Sequence, residues 1–161
     1  MCGRFVLYDV EGIKKKFNIE IKPSFNIAPS QQVLIYDKKP HFMKWSFSPI
    51  WAKKDFNLIN CRSETMYEKP SFKDSKRCVF IMDGWYEWKR YFDWKRRQNV
   101  KEPYYHHLNS DLIYVGGLYN DTGCVCVTKE AVKPISDIHN SCLLYTSDAA
   151  DDTPCVDLGG R

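Results

Sequence analysis

Seven short runs rich in aromatic and β-branched residues recur between residues 32 and 128, and each stops before ten residues. They are 32–36 (QVLIY), 41–47 (HFMKWSF), 77–82 (RCVFIM), 85–90 (WYEWKR), 103–108 (PYYHHL), 112–119 (LIYVGGLY) and 124–128 (CVCVT). Runs of this length and composition fit strands and leave no room for long helices. Asp37-Lys38-Lys39-Pro40 separates the first two as a hairpin turn would, and Asp83-Gly84 breaks the third from the fourth. A helical period shows only at residues 9–17, where Val10, Ile13 and Phe17 share one side behind Asp9 as N-cap, and briefly at 130–137, which Pro134 interrupts. Residues 25–30 (FNIAPS) read as a loop ended by Pro29. Many short strands with a few small helices predict an α+β or mostly β domain.

A chain of 161 residues suits one such domain and can bury a core without staples. No run approaches the ~18–20 apolar residues of a membrane helix. The opening MCGRFVLYDV lacks the basic-then-apolar order of a secretory signal. The seven cysteines are therefore read as reduced thiols of a cytoplasmic chain. Cys124-x-Cys126 has no second ligand pair at metal spacing, and His106 and His107 face opposite sides of a strand, so neither a metal nor another cofactor is expected. Cys61 and Cys78 read as small buried residues, and Gly116-Gly117 as a point of close packing inside a strand. Residues 1–141 carry a net charge of +7, which favours an anionic partner such as nucleic acid, although a basic face also serves solubility.

From Cys142 the character of the sequence changes. Residues 142–161 carry −3 and have almost no aromatics. CLLYTSDAAD resembles the conceptual translation of a transposase adaptor used in shotgun sequencing. The expectation is a natural domain over 1–141, cut short at its C-terminus, followed by a non-native tail. In that frame Ser141 stands where an Arg codon lost its last base.

Several residues have the chemistry of a reactive site. Removal of Met1 would leave Cys2 as a 1,2-aminothiol, whose amine (reference pKa about 7.7–8.0) is partly neutral near pH 7. Such a group traps an aldehyde as a Schiff base, which the thiol then closes to a thiazolidine. Taken alone, a cysteine after the initiator is far more often a chance occurrence. Glu87, set among Trp85, Tyr86 and Trp88, is a candidate general acid if desolvated, or an edge-strand ion-pair partner if not. On a strand, Trp85 and Glu87 share one face. Asn60 and Arg62 point the same way in extended chain, offering an amide and a phosphate fork, or a loop cap and a surface charge. His139 is a potential proton shuttle or a structural residue. The stretch 85–101 interleaves aromatics with Lys89, Arg90, Lys95, Arg96, Arg97 and Lys101, a pattern that suits single-stranded nucleic acid, or a hairpin with a basic tip.

In order, MCGRF, FNIAP (25–29), NCRSET (60–65), EKPSF (68–72), DGWYEW (83–88), EPYY (102–105), GGLY (116–119) and DIH (137–139) closely resemble the SRAP (SOS response-associated peptidase) family over residues 1 to about 140. The resemblance implies an α+β fold around a twisted, antiparallel, barrel-like sheet. It implies binding of single-stranded DNA and covalent capture of abasic sites, with an associated thiol autopeptidase activity. Cys2 would be the nucleophile, Asn60 would orient the cysteine and sugar, Glu87 would move protons, and His139 would assist sugar ring opening. Arg4 and Arg62 would lie near the DNA backbone, and Trp45, Trp85, Lys89 and Arg90 are assigned with them to DNA contact. The implied setting is a monomer at the nucleoid or replication fork during the DNA damage response. Trp45-Ser46 departs from the family's Trp-Gly step, and the sequence after His139 departs from its acidic-or-amide-Arg-Met-Pro continuation. Two other readings stand beside this one: a cysteine peptidase acting in trans through Cys2 and His139, and a non-catalytic single-strand binding module.

Overall fold

The computed structural model describes residues 2–109 and 111–146, together with the backbone of 155–157. The chain enters through β1 (Phe5–Leu7) and its one described α-helix, α1 (Val10–Phe17). The helix starts as its sequence predicts: the Asp9 carboxylate accepts the Gly12 N–H at 2.9 Å, and Ile13 is its buried anchor. It ends at Asn18, whose left-handed backbone closes the last turn.

Strands follow at Ser24–Ile27 (β2), Gln32–Tyr36 (β3), Pro40–Lys44 (β4), Asn60–Arg62 (β5), Lys76–Met82 (β6), Gly84–Asp93 (β7), Gln98–His107 (β8), Ile113–Asn120 (β9), Gly123–Glu130 (β10), Ser141–Leu143 (β11), Tyr145–Thr146 (β12) and Cys155–Asp157 (β13). One sheet has the order β13-β8-β7-β1-β2, and a second runs β11-β10-β9-β6-β3-β4, with β12 added on β9 and β5 on β10. The pairings are antiparallel except β5 with β10, which is parallel. Neither sheet closes its hydrogen bonding into a circuit, so the barrel-like expectation becomes two open, largely antiparallel sheets.

Each of the seven sequence runs contains a strand, the first with its ends as expected and the others with shifted ends. The fourth and fifth form one long hairpin of ten residues per strand, from Gly84↔His107 out to Asp93↔Gln98. The second stops at Lys44 because Trp45 turns inward to full burial. Of residues 25–30, expected as loop, 25–27 instead belong to the edge strand β2 (Ser24–Ile27). Its exposed Phe25 and Asn26 break the apolar alternation that would have revealed it. The helical turn near Pro134 shrinks to a 3-10 turn at Ile135–Asp137.

Phe5 and Trp85 of the first sheet meet Phe80, Val115 and Cys126 of the second in one core. Close packing is visible at Gly117, where an added Cβ would lie 2.6 Å from the Phe80 ring and 2.9 Å from the Cys78 sulfur. Across the boundary expected at residue 141 the chain continues into β11, which pairs with β10 and buries Cys142 and Leu143. Residues 147–154 and 158–161 of the expected tail lie outside the described residues.

Candidate active site

Three backbone elements converge where the sheets meet. β1 pairs with β7 at Phe5↔Trp85, and the Tyr86 N–H donates to the Arg4 carbonyl at 2.9 Å. This fixes residues 2–4 beside the start of β7. Asp83 secures the junction: its carboxylate accepts the Tyr8 and Asp9 N–H groups at 2.5 and 3.1 Å. The alternation read from DGWYEW holds, since Trp85 and Glu87 are buried while Tyr86 and Trp88 are half-buried on the other face.

β5 brings Asn60 from the second sheet. Its Nδ2 donates to the Cys2 carbonyl at 2.7 Å, while its buried Oδ1 meets no partner among the described residues. Cys61, between Asn60 and Arg62, points into the core, so the outer two residues share the other side. Trp45 sets this strand's position. Its indole Nε1–H donates to the Ile59 carbonyl at 2.9 Å, and its ring packs against Phe5 and Phe80.

Cys2 is fully buried. Burial pushes its thiol pKa well above the ordinary value, and the Glu87 carboxylate pushes it further, so the sulfur is a protonated thiol here. Glu87 is itself almost wholly buried. Desolvation raises its carboxyl from 4.5 to about 7, with the positive amino terminus of the chain pulling the other way. It can therefore hold or release a proton near neutrality.

His139 follows the turn at Ile135–Asp137, and its N–H donates to the Ile135 carbonyl at 3.0 Å. Burial lowers its pKa, and so do the positive amino terminus, Arg90 and Arg62, so the imidazole is neutral. Its Nδ1 lies 3.1 Å from both the N–H and the carbonyl oxygen of Ser141. A proton can thus arrive at or leave the ring without the ring losing its anchor. Glu87 and His139 line one cavity of about 440 Å³ with Trp88, Arg90, Lys101 and Asn140.

The basic residues divide by exposure. Arg62 and Arg90 are exposed and flank His139. Arg4 and Lys89 are half-buried, and Arg4 donates to the Gly3 carbonyl at 2.7 Å. Trp45 and Trp85 are corrections. Both are fully buried, Trp45 in the core and Trp85 stacked on His106 at 5.1 Å, so neither presents a ring to a ligand. Apolar core formation claimed these rings, which sequence pattern does not distinguish from exposed ones. The exposed rings on the Asn60 side are Trp51 and Phe56, edge-on to each other at 5.4 Å. Phe56 in turn lines a cavity with Asn60, Arg62 and Lys69. Sequence reading missed Trp51; it named Lys101 within the basic stretch 85–101 but not its place in the cavity with Glu87 and His139. Folding residues 85–101 as a hairpin would have placed Lys101 opposite Arg90.

Comparison with known proteins identifies the family. The family model of the SOS response associated peptidase (SRAP) matches residues 1–150. The abasic site processing protein YoqW of Bacillus subtilis is 34% identical over 87% of this chain and 73% of its own length. The abasic site processing protein HMCES of Mus musculus is 33% identical over 52% of this chain and 29% of its own. A crystal structure of a phage-related protein from Bordetella bronchiseptica superposes with a TM-score of 0.66 at 23% identity, covering 89% of this chain and 76% of that one. A second, from Bacteroides thetaiotaomicron, gives a TM-score of 0.66 at 19% identity, covering 88% and 69%. With Cys2, Asn60, Glu87 and His139 gathered at one junction and the family pattern matched from end to end of the described core, this chain belongs to the SRAP family.

Proposed function

We propose that this protein processes abasic sites in single-stranded DNA by forming a covalent adduct through Cys2. The carrying observation is the junction itself: a buried thiol under a carboxyl poised near neutrality, with Asn60 holding the cysteine's own carbonyl. Curated relatives named as abasic site processing proteins support the same substrate.

The chemistry balances with one water lost. Once Met1 is removed, the Cys2 amine attacks the C1 aldehyde of the open-chain sugar. The carbinolamine loses its hydroxyl as water, with Glu87 supplying the proton, and leaves an imine. The sulfur then adds to the imine carbon, its proton passes to the ring nitrogen, and a thiazolidine closes. A thiol that is protonated at rest favours this order, amine first and sulfur second. His139, neutral and anchored through either tautomer, takes the proton of the C1 hydroxyl as the sugar opens. The buried Oδ1 of Asn60, which meets no partner among the described residues, accepts from the sugar in this reading. Arg62 and Arg90 bind phosphates.

A peptidase acting in trans needs a thiolate activated by a basic partner. The raised thiol pKa argues against it: burial, and after it the Glu87 carboxylate, outweigh the positive amino terminus that would favour a thiolate. Any self-processing by the same site would be limited to the bond before Cys2.

Denaturing electrophoresis of Met-processed protein with a single strand carrying one abasic site tests the reading. A shifted band that requires both Cys2 and the lesion is expected. Binding without a band would leave the non-catalytic module, and cleavage of an added peptide would leave the peptidase.

A further inference from the structure

The β7–β8 hairpin reaches well beyond the site it helps to build. β1 covers β7 only at Gly84 and Trp85, and β13 covers β8 only at residues 105–107. The outer half has no further strand beside it among the described residues. One face of that half carries Trp88, Arg90 and Phe92 from β7, and Lys101 and Asn99 from β8.

Arg90 stands directly opposite Lys101 in the register. Like charges at such a position oppose strand pairing, and an anion between them offsets the cost. Lys101 also sits over the Trp88 ring, 4.8 Å from its centroid. These two cations line the Glu87–His139 cavity and also a second one, of about 480 Å³, formed with Tyr91, Phe92, Asn99 and Val100. The two cavities therefore share Arg90 and Lys101 as their common wall. At its far end Trp94 is 82% exposed and meets Phe92 edge-on at 4.7 Å. Lys95, Arg96 and Arg97 surround it in a defined turn, in which Asp93 Oδ1 accepts the Lys95 and Arg96 N–H groups at 2.9 and 3.1 Å. Glu102 belongs to the opposite face, where it accepts the Tyr104 hydroxyl at 3.2 Å.

We propose that this hairpin face is a second DNA subsite, which holds the single strand flanking the lesion: Arg90 and Lys101 clasp a phosphate, and Phe92 and Trp94 stack an unpaired base. The proposal rests on the DNA reading above and extends it. At about 3.4 Å per residue, Phe92 lies about 17 Å along the strand from Glu87. The subsite thus engages DNA outside the reacting nucleotide and sets affinity for the strand rather than the chemistry at the lesion. Exposed aromatics beside cations that also line the site's cavity match a strand of bases and phosphates.

The test measures equilibrium binding of intact single strands, long and short, over a salt series. Wild type is compared with the Phe92→Ala/Trp94→Ala double variant and with Lys101→Gln. The aromatic variant should lose roughly tenfold in affinity for the long strand and much less for the short one. Lys101→Gln should lower the salt slope by about 0.7, the value of one phosphate contact on a single strand. Equal losses on long and short strands, or none, would overturn the proposal. So would a change in sedimentation with unchanged DNA binding, which would make this face a contact between copies. Because the strands carry no lesion, this result is independent of whether wild type forms an adduct. Thermal melting of each variant keeps a folding defect from passing as a binding one.

Discussion

Two buried groups on adjacent strands should give this protein opposing pH dependences. Glu87 is pushed up from 4.5 to about 7 by desolvation, and His106, fully buried on the neighbouring strand, is pushed down from 6.5 to about 4 by desolvation and the charge of His107. At about 1.36 kcal/mol per pKa unit, each is linked to roughly 3 kcal/mol of stability. The signs differ. For Glu87 the native state binds the proton more tightly, so its contribution is full below about pH 4.5 and is lost as pH rises through about 7. For His106 the unfolded state binds the proton more tightly, so stability is lost as pH falls from about 6.5 to about 4. Between those limits the two slopes offset each other in wild type. Glu87→Gln keeps the neutral shape of the acid and removes its titration. It should match wild type near pH 4.5 and exceed it by up to roughly 3 kcal/mol above pH 8, while losing adduct formation. His106→Phe keeps a ring against Trp85 and should expose the Glu87 slope alone, with stability falling from pH 5 to about 8. Urea unfolding followed by tryptophan fluorescence at several pH values reads both. A Glu87→Gln difference that stays constant across that range would refute the burial argument.

Asn60→Ala removes the hydrogen bond to the Cys2 carbonyl. It should cost about 1 kcal/mol, a fall of about 2–4 °C in melting temperature, with a larger loss in adduct rate than in DNA affinity. Trp45→Ala should cost about 3–5 kcal/mol and unfold much of the population, whereas Trp45→Phe should melt near wild type and bind DNA normally. A folded Trp45→Phe with weakened DNA binding would return that ring to the DNA surface. Cys2→Ser should bind the lesion-bearing strand like wild type yet form no thiazolidine, seen as loss of the stable gel shift.

Much of this protein was legible in its residues. Strand propensity and turn chemistry placed the seven runs, and Asp9 announced the helix, because those signals act within a few positions of each residue. The alternation of Trp85 and Glu87 against Tyr86 and Trp88 follows from strand geometry alone, and the ordered motifs pointed to the family. The fate of individual aromatics was not legible. Trp45 and Trp85 went to the core and Trp51 to the surface, a choice made by packing across two sheets far apart in sequence. The edge strand β2 exists because β1 offers it a partner, and its own residues alternate too weakly to show it. Only tertiary structure could bring residues 2, 60, 87 and 139 together. Only burial at that junction could raise the Glu87 carboxyl and suppress ionisation of the Cys2 thiol, since desolvation depends on every neighbour that excludes water.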